Sequence, residues 1–235
     1  MTINVKPIAL LTALLLFTAI HACYVMSASW GLVEWCLPYL DGCSSISRAA
    51  RSQPVIFFFR GLMMPAALGV LICVLLLRQW LLSLGAARDA AMDLLVLFGF
   101  LAAIGLLIYC VFLGTGSGYR MFRRVSVIVF LGFFVLTQLI VSNKLSKLVQ
   151  KGVGTRALQR ILQVMVAVGA AQVILGAVNI AIVPFLQNND AIENAIEWNA
   201  CGLMIVYFVL VYCAWKATGF NGTVSIAPGL SAQPS

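Results

Sequence analysis

Six apolar stretches, each about as long as a bilayer is thick, dominate the chain: residues 7–26, 55–82, 90–113, 125–141, 158–186 and 192–215. A membrane-crossing helix needs about 20 such residues. Lipid offers the backbone no hydrogen bonds, so a spanning segment must satisfy its own. Membrane β-strands would instead show short alternating segments, and none of the six reads that way. The expectation is an all-α polytopic membrane protein, a six-helix transmembrane bundle over residues 1–217. The first run is read as an anchor that stays, not as a cleaved leader. Residues 218–235, rich in Gly, Ser, Ala and Pro, read as a poorly ordered tail.

Composition agrees. Of 235 residues 63% are hydrophobic and 9% charged, with a mean hydropathy of +1.04. Soluble domains carry roughly 25% charged residues. A soluble enzyme, a disordered chain and a nucleic-acid module are excluded. The net charge of +8 sits in short gaps between apolar runs, which is a topology signal and not a nucleic-acid stripe.

Alternate gaps divide the basic residues. One side holds Lys6, Arg78, Arg88, Lys144, Lys147, Lys151, Arg156, Arg160 and Lys216, and the other Arg48, Arg51, Arg60, Arg120, Arg123 and Arg124. The richer side is read as cytoplasmic, with both termini on it. The membrane is then an inner, plasma or endomembrane, and the loop 27–54 is extracytoplasmic. That loop carries Trp30, Trp35 and Tyr39, residue types that suit a membrane interface, and also Cys36 and Cys43. On an oxidising side these cysteines are expected to form a disulfide; the alternative is two free thiols. The remaining cysteines lie inside helices as small apolar fillers.

The chemistry on offer is narrow. A single histidine, His21, excludes a bis-histidine haem and a multi-histidine zinc site. No metal and no cofactor is expected. Gly114–Gly118 lacks the lysine of a phosphate loop and reads as a flexible connection. A hydrolytic trio can be drawn from His21, Asp41 and the serines 44, 45 and 47; otherwise His21 is a hydrogen-bonded residue between helices. Arg60 stands on an apolar helix, and a charge there normally has a partner or faces a wet cavity. Three readings are open for it: an ion pair with Glu197, an anion site shared with Arg48, Arg51 and Arg123, or a snorkelling side chain. Six arginines and no lysine on that side suit bidentate contact with phosphate, or else serve only as topology determinants. Gln138, Gln172, Asn179 and Asn199 either line a polar cavity or bond between helices.

Three passages resemble a six-helix membrane family that includes the DRAM autophagy modulators, the yeast Sfk protein and GPI-anchor lipid-remodelling factors. They are Pro38-Tyr39 … Ser45-Ile46-Ser47 … Pro54 running into Arg60, Phe130-Leu131-Gly132-Phe133-Phe134, and Ile196-Glu197-Trp198. Cys43-Ser44 replaces the family's proline before Ser-Ile-Ser, marking a divergent member. The resemblance implies six helices, cytoplasmic termini and acyl remodelling of a lipid, with His21 the one general base. The functional expectation is an extracytoplasmic-facing pocket that binds, senses or remodels a phospholipid or glycolipid. Its polar end would be Arg60, Glu197, Arg48, Arg51 and Arg123. The alternative is a non-enzymatic scaffold or accessory subunit of a membrane complex. Membrane lipids, and in the second case another membrane protein, are the expected partners; no nucleic acid is.

Overall fold

The computed structural model describes residues 2–187 and 189–223. Six helices are long and apolar enough to cross a membrane. They are α1 (Lys6–Ser29), α4 (Val55–Ser83), α5 (Ala90–Phe112), α6 (Arg120–Gln150), α7 (Arg156–Ala181) and α8 (Asn189–Ala217). Two short helices, α2 (Pro38–Asp41) and α3 (Ile46–Ala50), lie in the first loop. The protein is an all-α, multi-pass membrane bundle.

The long helices pack in the cyclic order α1–α4–α5–α6–α7–α8 and back to α1. Small residues set the closest approaches. A Cβ on Gly105 of α5 would stand 2.9 Å from the backbone of Ser126 and Phe130 in α6. Glycine there lets two helix backbones meet, as expected in lipid, where hydrophobic burial does not drive helices together. Aromatic side chains fill the centre: Phe134 of α6 stacks on Phe208 of α8 at 5.0 Å and meets Tyr207 edge-on.

Helix ends depart from the apolar runs. The helix α6 begins at Arg120 and runs to Gln150, so Lys144 and Lys147 belong to it and only 151–155 connect it to α7. Charged residues do not stop a helix that has left the hydrocarbon core. The helix α7 ends at Ala181, before the short 3-10 turn Val183–Phe185; a proline at position 184 cannot donate the next backbone bond.

An even number of crossings puts both ends on one face, and the structure joins them. Thr2–Ile3 pairs antiparallel with Gly222–Thr223, and Lys6 Nζ donates to Asn221 Oδ1 at 3.1 Å. Trp80 Nε1 donates to Thr218 Oγ1 at 2.9 Å, and Phe220 packs on Trp215. Residues 218–223 are therefore an ordered extension and not loose tail, because two tryptophans offer them a surface. Residues 224–235 of the expected tail lie outside the described residues. Below, the end of the bundle bearing the termini is the terminus face, and the end bearing α2 and α3 is the loop face.

Candidate functional site

On the loop face, residues 30–54 fold down onto the bundle. Cys36 and Cys43 are joined by a disulfide, with their Cα atoms 6.5 Å apart. Tyr24 of α1 holds the strap beneath it: its hydroxyl accepts from the Cys36 amide at 2.8 Å and lies 2.9 Å from the Cys36 carbonyl. Ser45 caps α3 by accepting from the Arg48 amide at 3.0 Å, so the Ser-Ile-Ser motif is a helix start.

The helix α8 grips the same loop. Asn194 Nδ2 donates to the Gly42 carbonyl at 2.8 Å, Trp198 Nε1 to the Ser44 carbonyl at 2.8 Å, and Asn199 Nδ2 to the Tyr39 carbonyl at 2.9 Å. Gly42 has φ +58°, and a Cβ there would collide with the Ala191 carbonyl. Only glycine suits both the conformation and the fit. Trp198, fully buried, is the hub: the rings of His21, Tyr24 and Tyr39 all lie within 5.5–5.7 Å of it.

His21 belongs to this cluster. Its Nδ1 lies 2.8 Å from the Phe17 carbonyl and its Nε2 2.9 Å from the Tyr39 hydroxyl. A carbonyl only accepts, so Nδ1 carries the hydrogen, and in the neutral ring Nε2 accepts from Tyr39. The hydrolytic trio is not assembled. Asp41 accepts from the Leu37 amide at 2.8 Å, Ser44 donates to the Ser45 carbonyl, and Ser45 is the cap. Burial, and then the neighbouring Cys201, pushes the Tyr39 phenol above its ordinary range. The phenol therefore stays protonated.

Arg60 does not pair with Glu197. Its Nε donates to the Cys110 carbonyl at 3.0 Å, and its Nη2 to Val111 at 3.0 Å and Leu113 at 2.8 Å. These are carbonyls at the end of α5, which has no further turn to satisfy them. A cation there also meets the negative end of the helix dipole. Arg123 reaches the same turn from α6, donating to the Thr115 carbonyl at 2.9 Å and Gly116 at 3.2 Å. The Gly114–Gly118 connection is thus pinned by an arginine, where a flexible link was expected.

The expected polar end is accordingly divided. Arg60 and Arg123 clamp the α5–α6 turn, and the Arg51 carbonyl abuts Gly114 of that turn. Arg48, Arg51, Arg120 and Arg124 are exposed around them, and among the described residues no carboxylate pairs with any. Glu197, next to Trp198 on α8, forms no ion pair with any of them. Tyr39 and Asn199, which contact reasoning from sequence did not bring to His21, complete a second centre. A lateral groove of about 330 Å³ between α1 and α8 opens there, lined by Phe17, Tyr39, Asn199, Gly202, Leu203 and Val206. Gln138 and Gln172 are buried with their amides unpartnered, away from both centres. Among the described residues no cluster of three metal-ligating side chains occurs.

Compared with known protein families, curated proteins and solved structures, the chain matches none.

Proposed function

We propose that this protein binds anionic phospholipid headgroups at the corner where α3, α4 and α6 meet on the loop face, and that this face is extracytoplasmic. One observation carries the reading: Arg48, Arg51, Arg120 and Arg124 stand exposed on the loop face, among the described residues no carboxylate pairs with them, and α4 and α6 expose apolar side chains at the same end. Phe57 is 61% exposed, Phe58 51%, Met121 70% and Phe122 55%. Apolar side chains such as Phe at that level bury in the acyl region just below the headgroups. Guanidinium groups above them meet phosphate oxygens in a bidentate fork. Arg60 and Arg123 serve this surface indirectly, by fixing the turn from which it projects. The resemblance to lipid-remodelling factors points to the same class of ligand. Catalysis is no part of the proposal, since His21 is engaged by Phe17 and Tyr39.

The test is native mass spectrometry of the detergent-purified chain titrated with phosphatidylglycerol or phosphatidylcholine. Phosphatidylglycerol should be retained preferentially, and changing Arg48, Arg51, Arg120 and Arg124 together to glutamine should remove the preference without unfolding the protein. Equal retention of the two lipids by the unaltered chain would refute the proposal.

A further inference from the structure

The groove between α1 and α8 has walls of Phe17, Leu203 and Val206 and a polar end formed by Tyr39 and Asn199. The N–H and O–H donors around that end are all occupied. His21 Nδ1–H points to the Phe17 carbonyl, and the Tyr39 hydroxyl to His21 Nε2. Asn199 Nδ2 donates both to the Tyr39 carbonyl and to the Ala195 carbonyl, each within 2.9 Å. Trp198 Nε1 donates to Ser44. What remains is acceptor capacity: lone pairs on the Tyr39 oxygen, and Asn199 Oδ1, which accepts from no described residue.

An acceptor-only end selects its ligand. Ester carbonyls, quinones and phosphodiesters present oxygen lone pairs to oxygen lone pairs and gain nothing. An ammonium group would donate but needs a carboxylate to replace its lost hydration, and none lines the groove. Asp41 does not line it, and its Oδ2 accepts from the Leu37 amide. Glu197 lies two residues before Asn199, on the opposite side of α8. An uncharged hydroxyl fits.

We propose that this groove holds the free alcohol of an uncharged glycerolipid of the diacylglycerol class, its hydroxyl donating to the Tyr39 oxygen and its chain lying along Leu203 and Val206. This site is separate from the arginine corner, and it does not depend on the anionic-lipid reading.

The full chain is placed in phosphatidylcholine nanodiscs with a photoactivatable diacylglycerol, or with the same probe whose free hydroxyl is capped as an acetate. One net hydrogen bond of about 1 kcal/mol corresponds to roughly five-fold in occupancy. The free alcohol should therefore label peptides carrying Phe17 and residues 202–206 about five-fold more than the capped probe. Tyr39→Phe keeps the ring against Gly202 and Trp198, and should reduce the alcohol's labelling to the level of the capped probe. Val206→Trp fills the groove and should suppress both probes. Equal labelling of the unaltered chain by the two probes would overturn the proposal whatever the variants do, as would unchanged labelling of a folded Tyr39→Phe.

Discussion

Arg60 shows how far a single residue can be read. A charge on an apolar helix must be satisfied, and that much follows from composition alone. A carboxylate is the obvious partner on paper, yet the structure supplies three backbone carbonyls at the end of α5. Carbonyls carry no sequence signature, so no reading of residue types could have found them. Because Arg60 and Glu197 do not touch, the stability losses of Arg60→Met and Glu197→Gln should add to within about 0.5 kcal/mol in a thermal double-mutant cycle. A coupling above about 1 kcal/mol would restore the ion pair. Trp198 was legible as part of a motif, but its role was not. It is a buried donor to Ser44, at 2.8 Å. Trp198→Phe keeps most of the ring stacking and strands that carbonyl, for an expected loss of about 1–3 kcal/mol measured by thermal unfolding in detergent. Met at position 198 would lose the aromatic packing as well, and should be worse than Phe.

At the scale of elements, length and hydropathy locate six helices because lipid leaves a spanning chain so few alternatives. Their ends escape that logic, since polar residues continue a helix freely once it reaches the headgroups. Lys144 is the clearest case. It reads as part of a basic connecting segment, but it lies on α6, 8% exposed, and donates to Asp89 at the start of α5. Asp89 also accepts from the Met92 amide at 3.3 Å as the α5 N-cap. The Lys144 ammonium, chiefly through this hydrogen bond, holds the Asp89 carboxyl below its ordinary range. A depressed acid stabilises the fold fully above the unfolded Asp value of about 3.9 and loses that contribution as pH falls through the lower folded value. Between about pH 5 and pH 3 the melting temperature of the unaltered chain should therefore fall more steeply than that of Asp89→Asn. Asn still caps a helix, so the comparison isolates the charge; parallel curves would show that the link adds nothing. The α5–α6 contact it secures also depends on Gly105, whose missing side chain the Ser126 and Phe130 backbones occupy. Gly105→Val should separate these two helices and lower the melting temperature by more than the same change at Gly132, where nothing lies within 4 Å.

For the whole molecule, the cyclic helix order and the joining of the two ends fix which segments share a face, and the distribution of Lys and Arg is the ground for a proposed orientation. Basic residues number nine on the terminus face and six on the loop face, together the chain's 15. Two of the nine are paired with acids, Arg78 with Asp93 and Lys144 with Asp89, but topology follows the count of Lys and Arg near the spans and not net charge. On this balance we propose that the terminus face is cytoplasmic. Cysteine chemistry agrees: the only disulfide among the described residues, Cys36–Cys43, is on the loop face, and disulfides persist where the surroundings are oxidising. Neither argument uses the other's residues. The connections at Gly152 and Asn189 report on opposite faces, and both are exposed. In intact cells a membrane-impermeant maleimide should label Asn189→Cys and miss Gly152→Cys, with both labelled after permeabilisation. The native free cysteines give the background in the unaltered chain, and Cys23, Cys73 and Cys110 are buried. Labelling of Gly152→Cys alone would invert the molecule. The arginine corner would then face the cytoplasm, and the disulfide would have to form in a reducing compartment.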